Sequence, residues 1–256
     1  MVRRELPAWA GLLMMGWLTL VLWMDRAGGG LGPWEQRALG ILTWAVLLVV
    51  AWRVSPGVRA QTAVVVVFAT LVEYVFSPTL GVYTYRLHNV PAFVPPGHGL
   101  VYLSAFAIGH APAVVRHPRA GLGSVLVLGG GWAAYGALLA DRPDALGAFW
   151  YTCLVLFLLL GPSRAVYVGA FVAVSWLELV GTQAGTWTWG THDPTGVVTI
   201  GNPPSGAAGG YGWFDLVALL VAPHLLALWD RLTAGRGPRG RWIRRARRPA
   251  PAADVR

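Results

Sequence analysis

Residues 73–102 read EYVFSPTLGVYTYRLHNVPAFVPPGHGLVY, and the main features of this stretch occur a second time in the chain. Glu73 lies fourteen residues after Arg59 within an apolar run, and Glu178 lies fourteen residues after Arg164 within another. Each glutamate is followed by an aromatic–threonine–aromatic triplet, by a pair of prolines and by a glycine-flanked residue that opens a further apolar run. The doubled pattern predicts an internal repeat and marks two carboxyl groups inside hydrophobic sequence.

The composition indicates that the solvent of this protein is a bilayer. Of its 256 residues, 55% are hydrophobic and only 12% are charged, which leaves too little polar surface for an ordinary water-soluble domain. We therefore predict an all-α, polytopic membrane protein with about eight transmembrane helices. The predicted spans are residues 8–24, 38–52, 60–77, 99–115, 121–140, 145–160, 165–181 and 211–229.

The repeat and the arginine distribution together predict a topology. Matching spans one to four with spans five to eight gives a parallel 4+4 repeat, with halves at residues 1–119 and 120–232 of a single transmembrane domain. Sixteen of the twenty basic residues, all of them arginine, then fall on one side of the membrane and four on the other. The positive-inside rule favours cytoplasmic termini in the inner membrane of a bacterial cell, with both proline–glycine loops facing outward.

Positive charge is concentrated after the last predicted span. The net charge of +9 suggests nucleic acid at first sight, but nine arginines lie within residues 231–256. We expect residues 233–256 to form a disordered, basic cytoplasmic tail that contacts anionic lipid, with no nucleic-acid partner. The lone Cys153 excludes an internal disulfide, and no histidine pair has the spacing of a metal ligand set. We expect neither a metal nor a cofactor, and the oligomeric state stays open.

Glu73 and Glu178 are the first candidates for catalysis. A rise of about 1.5 Å per residue puts each of them roughly 21 Å from the arginine that opens its helix, so both lie in the outer third of the membrane. An ionised carboxylate there costs on the order of 3 kcal/mol, which favours a side chain that turns inward, finds a partner or stays protonated. One glutamate can then donate a proton while the other acts as base. Alternatively, each bonds only groups of its own broken loop.

Asp215 and His98 are further catalytic candidates, because the two halves of the repeat differ at these positions. Asp215 occupies the place of Tyr102, and His98 occupies the place of Tyr211. We expect Asp215 to be a third acid facing the same cavity as the glutamates, although an aspartate near a helix start also suits the helix dipole. His98 precedes a helix, where it either exchanges protons with the cavity or is an ordinary interfacial histidine.

Aromatic side chains follow both glutamates and are the expected substrate contacts. The predicted substrate-binding residues are Tyr83, Tyr85, Tyr102, Trp187, Trp189 and Tyr211. Such residues commonly form the aromatic belt of a membrane interface. In the functional interpretation they wall an apolar pocket and stabilise a cation with their ring faces.

The run ELVGTQAG at residues 178–185, followed by aromatics and Gly190, resembles the membrane signature of carotenoid-biosynthesis hydratases of the bisanhydrobacterioruberin type. In that family, a Glu-Leu-Ile-Gly-Thr-like helix end precedes an aromatic, glycine-containing segment and a proline-rich stretch. The resemblance covers about thirty residues. It implies a cofactor-independent membrane enzyme that protonates an isoprenoid double bond and captures the cation with water, or a related cyclase or isomerase.

Two other classes of function fit the same residues. Parallel repeats, broken segments and membrane carboxylates also describe proton-coupled transporters and lipid-binding proteins. The position of both glutamates toward one face, rather than at the midplane, favours an enzyme over a carrier. A structural or assembly subunit is the third possibility, and it predicts that the carboxylates are dispensable.

Overall fold

The apolar runs of the sequence form helices in the computed structural model, which describes residues 6–233. Of these described residues, 74% are helical and almost none lie in a sheet. The helices are α1 (Ala8–Met24), α2 (Pro33–Arg53), α3 (Pro56–Tyr74), α4 (Val94–Gly109), α5 (Pro112–Arg116), α6 (Pro118–Leu138), α7 (Ala145–Leu160), α8 (Arg164–Ala184) and α9 (Ala207–Thr233). The predicted basic tail, with its contact to anionic lipid, lies outside the described residues from position 234 onward.

The helices have the length and surface of a multi-pass membrane protein. Five of them are long and apolar enough to cross a bilayer, namely α2, α3 with its continuation to Thr79, α6, α8 and α9. The helices α1, α4 and α7 have 16 or 17 residues, fewer than the roughly 20 of a typical crossing. Large apolar side chains such as Trp52 and Leu160 are exposed on the outside of the bundle, as expected for contact with lipid.

Helix boundaries follow local signals. Proline stands at the first or second position of α2, α3, α4 and α6, where its missing N–H is not needed. The side chains of Ser55 and Ser163 accept hydrogen bonds from the first turns of α3 and α8. At its far end, α3 widens into a π-helical turn, Val75–Thr79, that contains Pro78. The glutamate-bearing helices therefore begin in the same way.

Helices α4 and α8 form the centre of the bundle. Their backbones touch at glycines, since a Cβ on Gly169 would lie 1.9 Å from the carbonyl oxygen of Ala105. A Cβ on Gly109 would lie 1.8 Å from the carbonyl oxygen of Ala165. Helices α1 and α3 pack beside α4, and α9 packs against α3, α7 and α8. This close approach is typical of membrane helices, which associate through small residues.

A short antiparallel pair of strands closes one end of the bundle. Strand β1 (Tyr83–Tyr85) pairs with β2 (Trp187–Trp189), and their central threonines, Thr84 and Thr188, lie opposite each other. We predicted these segments only as broken loops, so the strands are an addition to the all-α prediction. Amides at membrane depth need partners, and the two loops satisfy each other's backbone. Alternation along each strand buries the aromatics and exposes the threonines.

Candidate functional site

A cavity of about 230 Å³ lies beneath the strand pair. Its walls are mostly apolar and come from α1, α3, α4, α7, α8 and α9 as well as both strands. The cavity occupies the end of the bundle where α3 and α8 finish, opposite the arginines Arg59 and Arg164. Both Glu73 and Glu178 line it. The structure thus brings the two predicted carboxyl groups to one chamber.

Glu73 is buried and all of its near partners come from its own half of the chain. The phenol hydroxyls of Tyr83 and Tyr85 both donate to its Oε2 atom, at 2.8 Å each. The Nε2 atom of His98 lies 2.8 Å from Oε1. Burial, and next the Glu73 carboxylate, raise the pKa of Tyr83 and Tyr85 well above 10. The two phenols therefore stay protonated and keep donating at neutral pH.

Glu178 is held by the second strand in a corresponding way. The indole N–H groups of Trp187 and Trp189 donate to its Oε2 atom at 3.1 and 3.0 Å. The Tyr211 hydroxyl lies 3.4 Å from Oε1, which is a long contact for an O–H donor. The residues at positions 6–233 provide no basic partner to Glu178. Its Oε1 atom is consequently less engaged than any other carboxyl oxygen of the two glutamates.

The two carboxyl groups therefore have different chemical capacities. Both oxygens of Glu73 are engaged, and a proton can move between Glu73 and His98 without changing the net charge of the pair. Glu178 has two indole donors at Oε2, whereas Oε1 has only the long contact with the Tyr211 hydroxyl and can face a ligand. One group is a proton-sharing pair and the other is a single acid.

His98, Tyr211 and Phe214 form a contiguous aromatic wall on one side of the cavity. The His98 ring lies 5.3 Å from the Tyr211 ring and 5.5 Å from the Phe214 ring, measured between centroids. His98 follows Pro95 and Pro96 in the first turns of α4, while Tyr211 lies in the first turns of α9. The structure therefore places His98 inside the protein rather than at an exposed interface.

Asp215 and Tyr102 do not line the main cavity. They line a second, smaller cavity of about 10 Å³, together with His98 and Tyr211. We expected Asp215 to face the same cavity as the glutamates, and the structure corrects that placement. Asp215 lies four residues beyond Tyr211, and one helical turn of about 5.4 Å moves it deeper into the bundle. The Tyr102 hydroxyl donates to Oε1 of Gln61, at 2.8 Å.

Several residues that support the site carried no recognisable signal in the sequence. Trp150 of α7 lines the cavity and packs edge-on against Trp189, at 5.6 Å between ring centroids. Arg142 donates to the carbonyl oxygens of Ile200, Trp189 and Gly190, so it fixes the loop that follows β2. Burial lowers the pKa of Arg142. In the sequence, Arg142 counted only toward membrane orientation.

Another arginine, Arg86, anchors the loop after β1 as Arg142 anchors the loop after β2. Arg86 forms an ion pair with the fully buried Asp25 and donates to the carbonyl oxygen of Leu31. Gln36 donates to both carboxyl oxygens of Asp25, at 3.0 Å. These contacts tie β1 to the loop between α1 and α2. The donors of the carboxyl site are thus held on rigid elements.

The described residues thus combine five helices that are long and apolar enough to cross a membrane with two carboxyl groups in an apolar aromatic chamber. Among the described residues, no three His, Cys, Asp or Glu side chains are grouped so that they could hold a metal ion. No protein-family model, curated protein or solved structure matches this chain. The function is therefore inferred from the residues of the cavity.

Proposed function

We propose that the protein is an integral membrane enzyme that acts on an isoprenoid, carotenoid or related lipid by acid–base chemistry. The observation that carries this proposal is the pair of buried glutamates facing one apolar, aromatic cavity. Ionisable groups inside a membrane protein are expensive and commonly functional. The two carboxyl groups come from different helices, α3 and α8, and both face the same chamber.

The walls and the volume favour an apolar, chain-like substrate. Pockets that enclose a drug-sized ligand have about 300–1,000 Å³, and this cavity has about 230 Å³. It therefore suits one end of a long lipid, with the remainder in the bilayer. Tyr83, Tyr85, Trp187 and Trp189 surround that end with ring faces, which stabilise a developing carbocation.

Glu178 is the proposed acid. In the protonated form, its Oε1 atom delivers a proton to one carbon of a double bond, the π electrons form the new C–H bond, and a carbocation remains at the neighbouring carbon. Water attacks that carbon with a lone pair and transfers its extra proton to the Glu73–His98 pair. Return of a proton to Glu178 completes the cycle, so the net change is the addition of one water.

Without water in the cavity, the same cation can react in two other ways. Loss of a proton from an adjacent carbon to the Glu73–His98 pair gives isomerisation, and attack by another double bond of the chain gives cyclisation. The local resemblance of residues 178–185 to carotenoid hydratases supports hydration as the first reaction to test. All three reactions share protonation by Glu178 as their first step.

We also propose that the two halves are an internal repeat with eight crossings and cytoplasmic termini. Supporting this, the two equivalent arginines make equivalent contacts. Arg59 donates to the carbonyl oxygens of Ala51, Trp52 and Val54, and Arg164 donates to those of Leu158 and Leu159. Each arginine thus caps the helix that precedes its own, and each strand serves the glutamate of its own half.

The experiment uses membranes that contain the wild-type protein, Glu178→Gln, Glu73→Gln or Glu35→Gln. Glu35 is a matched control, since it is exposed and bonds only the Gly32 N–H at the start of α2. Lycopene and geranylgeraniol are supplied in vesicles in D₂O, and mass spectrometry follows deuterium on carbon. We expect incorporation with wild type and with Glu35→Gln. Loss of the acid should lower the rate by about 10²–10⁴-fold in Glu178→Gln.

Two outcomes would overturn the proposal. Equal deuterium incorporation by wild type and Glu178→Gln would show that Glu178 is not the acid. Isoprenoids that stay unchanged with the wild type and with every variant would refute the enzymatic function. Lipid that binds to the wild-type protein and leaves it unaltered in a proton-dependent manner would favour the transporter or lipid-binding alternative.

A further inference from the structure

Asp215 is a buried carboxyl group that the reaction outlined above does not use. It is 4% exposed, and no group within residues 6–233 forms a hydrogen bond with its side chain. Buried polar groups in proteins are nearly always bonded, because desolvation without a partner is costly. The side chain lines the small cavity of about 10 Å³. A hydrogen-bond partner for the Asp215 carboxyl group would therefore lie in that cavity.

The small cavity has the size and polarity of a site for one water molecule. A single water needs about 10–15 Å³ and two to four polar partners. His98 and Tyr102 are four residues apart on α4, and Tyr211 and Asp215 are four residues apart on α9, so each pair shares a helix face. These four side chains line the cavity, and the remaining lining residues on α3, α4, α8 and α9 are apolar.

His98 lies between the two cavities, since it lines both of them. Its Nε2 atom contacts Glu73, and its Nδ1 atom has no hydrogen-bond partner within residues 6–233. An imidazole can release a proton from one nitrogen while it accepts another at the second. His98 is thus the one titratable group whose two nitrogens can serve the main cavity and the small cavity at once.

The other titratable groups around Asp215 are phenols. Tyr102 and Tyr211 line the small cavity, and the buried hydroxyl of Tyr167 lies in electrostatic range on α8. Phenols release protons near pH 10 in water, far above the range of imidazole. The Tyr102 proton is also committed to Gln61, so Tyr102 can only accept from a water. These phenols are therefore poorer partners than the His98 imidazole for proton exchange with Asp215.

We propose that the small cavity binds one water molecule through which Asp215 exchanges a proton with His98, which makes Asp215 the proton reserve of the Glu73–His98 pair. This role rests on the proposed acid–base function. When the pair takes a proton from the attacking water, His98 releases its Nδ1 proton to the cavity water. That water passes one of its own protons to the Asp215 carboxylate, which returns the pair to its starting state. The reverse transfer later brings back the proton that the pair hands to Glu178, so each passage has the net effect of moving one proton between His98 and Asp215.

The test compares wild type with Asp215→Asn, Asp215→Glu and the control Asp230→Asn in lipid nanodiscs. Asp230 lies on the same helix and is exposed. Exchange of H₂¹⁶O for H₂¹⁸O should shift the O–H stretching band of an isolated water in the wild type and in Asp230→Asn. That infrared band should be missing in Asp215→Asn. The pH profile of the ¹⁵N signals of His98 should change in Asp215→Asn and be largely restored in Asp215→Glu.

These spectroscopic readouts need no substrate, so they separate this inference from the proposed function. A wild-type protein without the water band, or a His98 profile that is the same in Asp215→Asn, overturns the relay even where lipid conversion occurs. If the His98 profile changes in Asp215→Asn but the protein converts no isoprenoid, the relay is supported and the proposed substrate class is refuted. With conversion present, Asp215→Asn should lower turnover at least about tenfold, less than the 10²–10⁴ of a direct acid.

Discussion

Replacing Gly169 by alanine should force α8 away from α4. The new Cβ would lie 1.9 Å from the Ala105 carbonyl oxygen and 2.8 Å from the Gly109 backbone nitrogen. Because both atoms belong to the backbone, no side-chain rotation relieves the overlap, and the helices must separate by about 1 Å. A gap of 0.5–1 Å already removes roughly a quarter to a half of each dispersion contact.

The expected loss of stability follows from these distances. Overpacking of a core costs about 1–3 kcal/mol, occasionally more, and rigid backbone on both sides places Gly169→Ala at the upper end. The helical preference of alanine offsets about 1 kcal/mol of this. Gly131→Ala is the matched control, since its Cβ would meet no atom within 4 Å. Only the favourable contribution remains there, so the two variants should differ by about 3 kcal/mol.

The assay is unfolding in mixed micelles with increasing sodium dodecyl sulfate, followed by tryptophan fluorescence. The double variant Gly109→Ala/Gly169→Ala adds a second test. The Gly109 Cβ would meet the Ala165 carbonyl oxygen of the same interface, and one separation of the helices relieves both overlaps. The double variant should therefore lose less than the sum of the single losses. Equal stability of Gly169→Ala and Gly131→Ala would refute the close contact of α4 with α8.

Two further predictions concern the loops at the strand end of the bundle. Arg142→Met should cost about 2 kcal/mol, because three carbonyl oxygens around β2 lose a charged donor, and amide exchange at Gly190 should accelerate; unchanged exchange at Gly190 would contradict the assigned support. Asp193 accepts from the Val198 N–H and the Thr195 hydroxyl, and these bonds lower its pKa below the ordinary 3.8. Because the pKa of Asp193 is lower in the folded loop than in the unfolded chain, its ionised carboxylate stabilises the loop at every pH above the unfolded-state pKa. This stabilisation is lost as the pH falls through the folded-state pKa. The Val198 amide resonance should therefore move only below pH 3.8, and a midpoint above it would contradict the loop geometry.

The sequence predicted the helices well because their boundaries are local. The spans expected at residues 8–24 and 145–160 match α1 and α7 to the residue. The second span is longer at its start, since Pro33 is a good first residue for α2. The fourth ends early at Gly109 and resumes as α5, because Pro112 cannot continue the hydrogen bonding of α4.

The carboxyl site was predictable in part. The spacing of Glu73 and Glu178 from their arginines placed both carboxyls at one end of the bundle, and the structure places them there. The pairing of β1 with β2 was not predictable, since three alternating residues are too few to distinguish a strand from a loop. The depth of Asp215 depends on the rotation of α9 against its neighbours, which a single sequence does not encode locally.

Strand pairing across the bundle also has a consequence for biosynthesis. The partner of β1 lies about a hundred residues further along the chain, and ribosomes add about 5–20 residues per second. For roughly 5–20 s after its own synthesis, β1 has a free edge, and Glu73 has its tyrosines but no closed chamber. An unpaired strand edge can pair with other chains, and the nascent chain closes the cavity around Glu73 only after β2 has emerged.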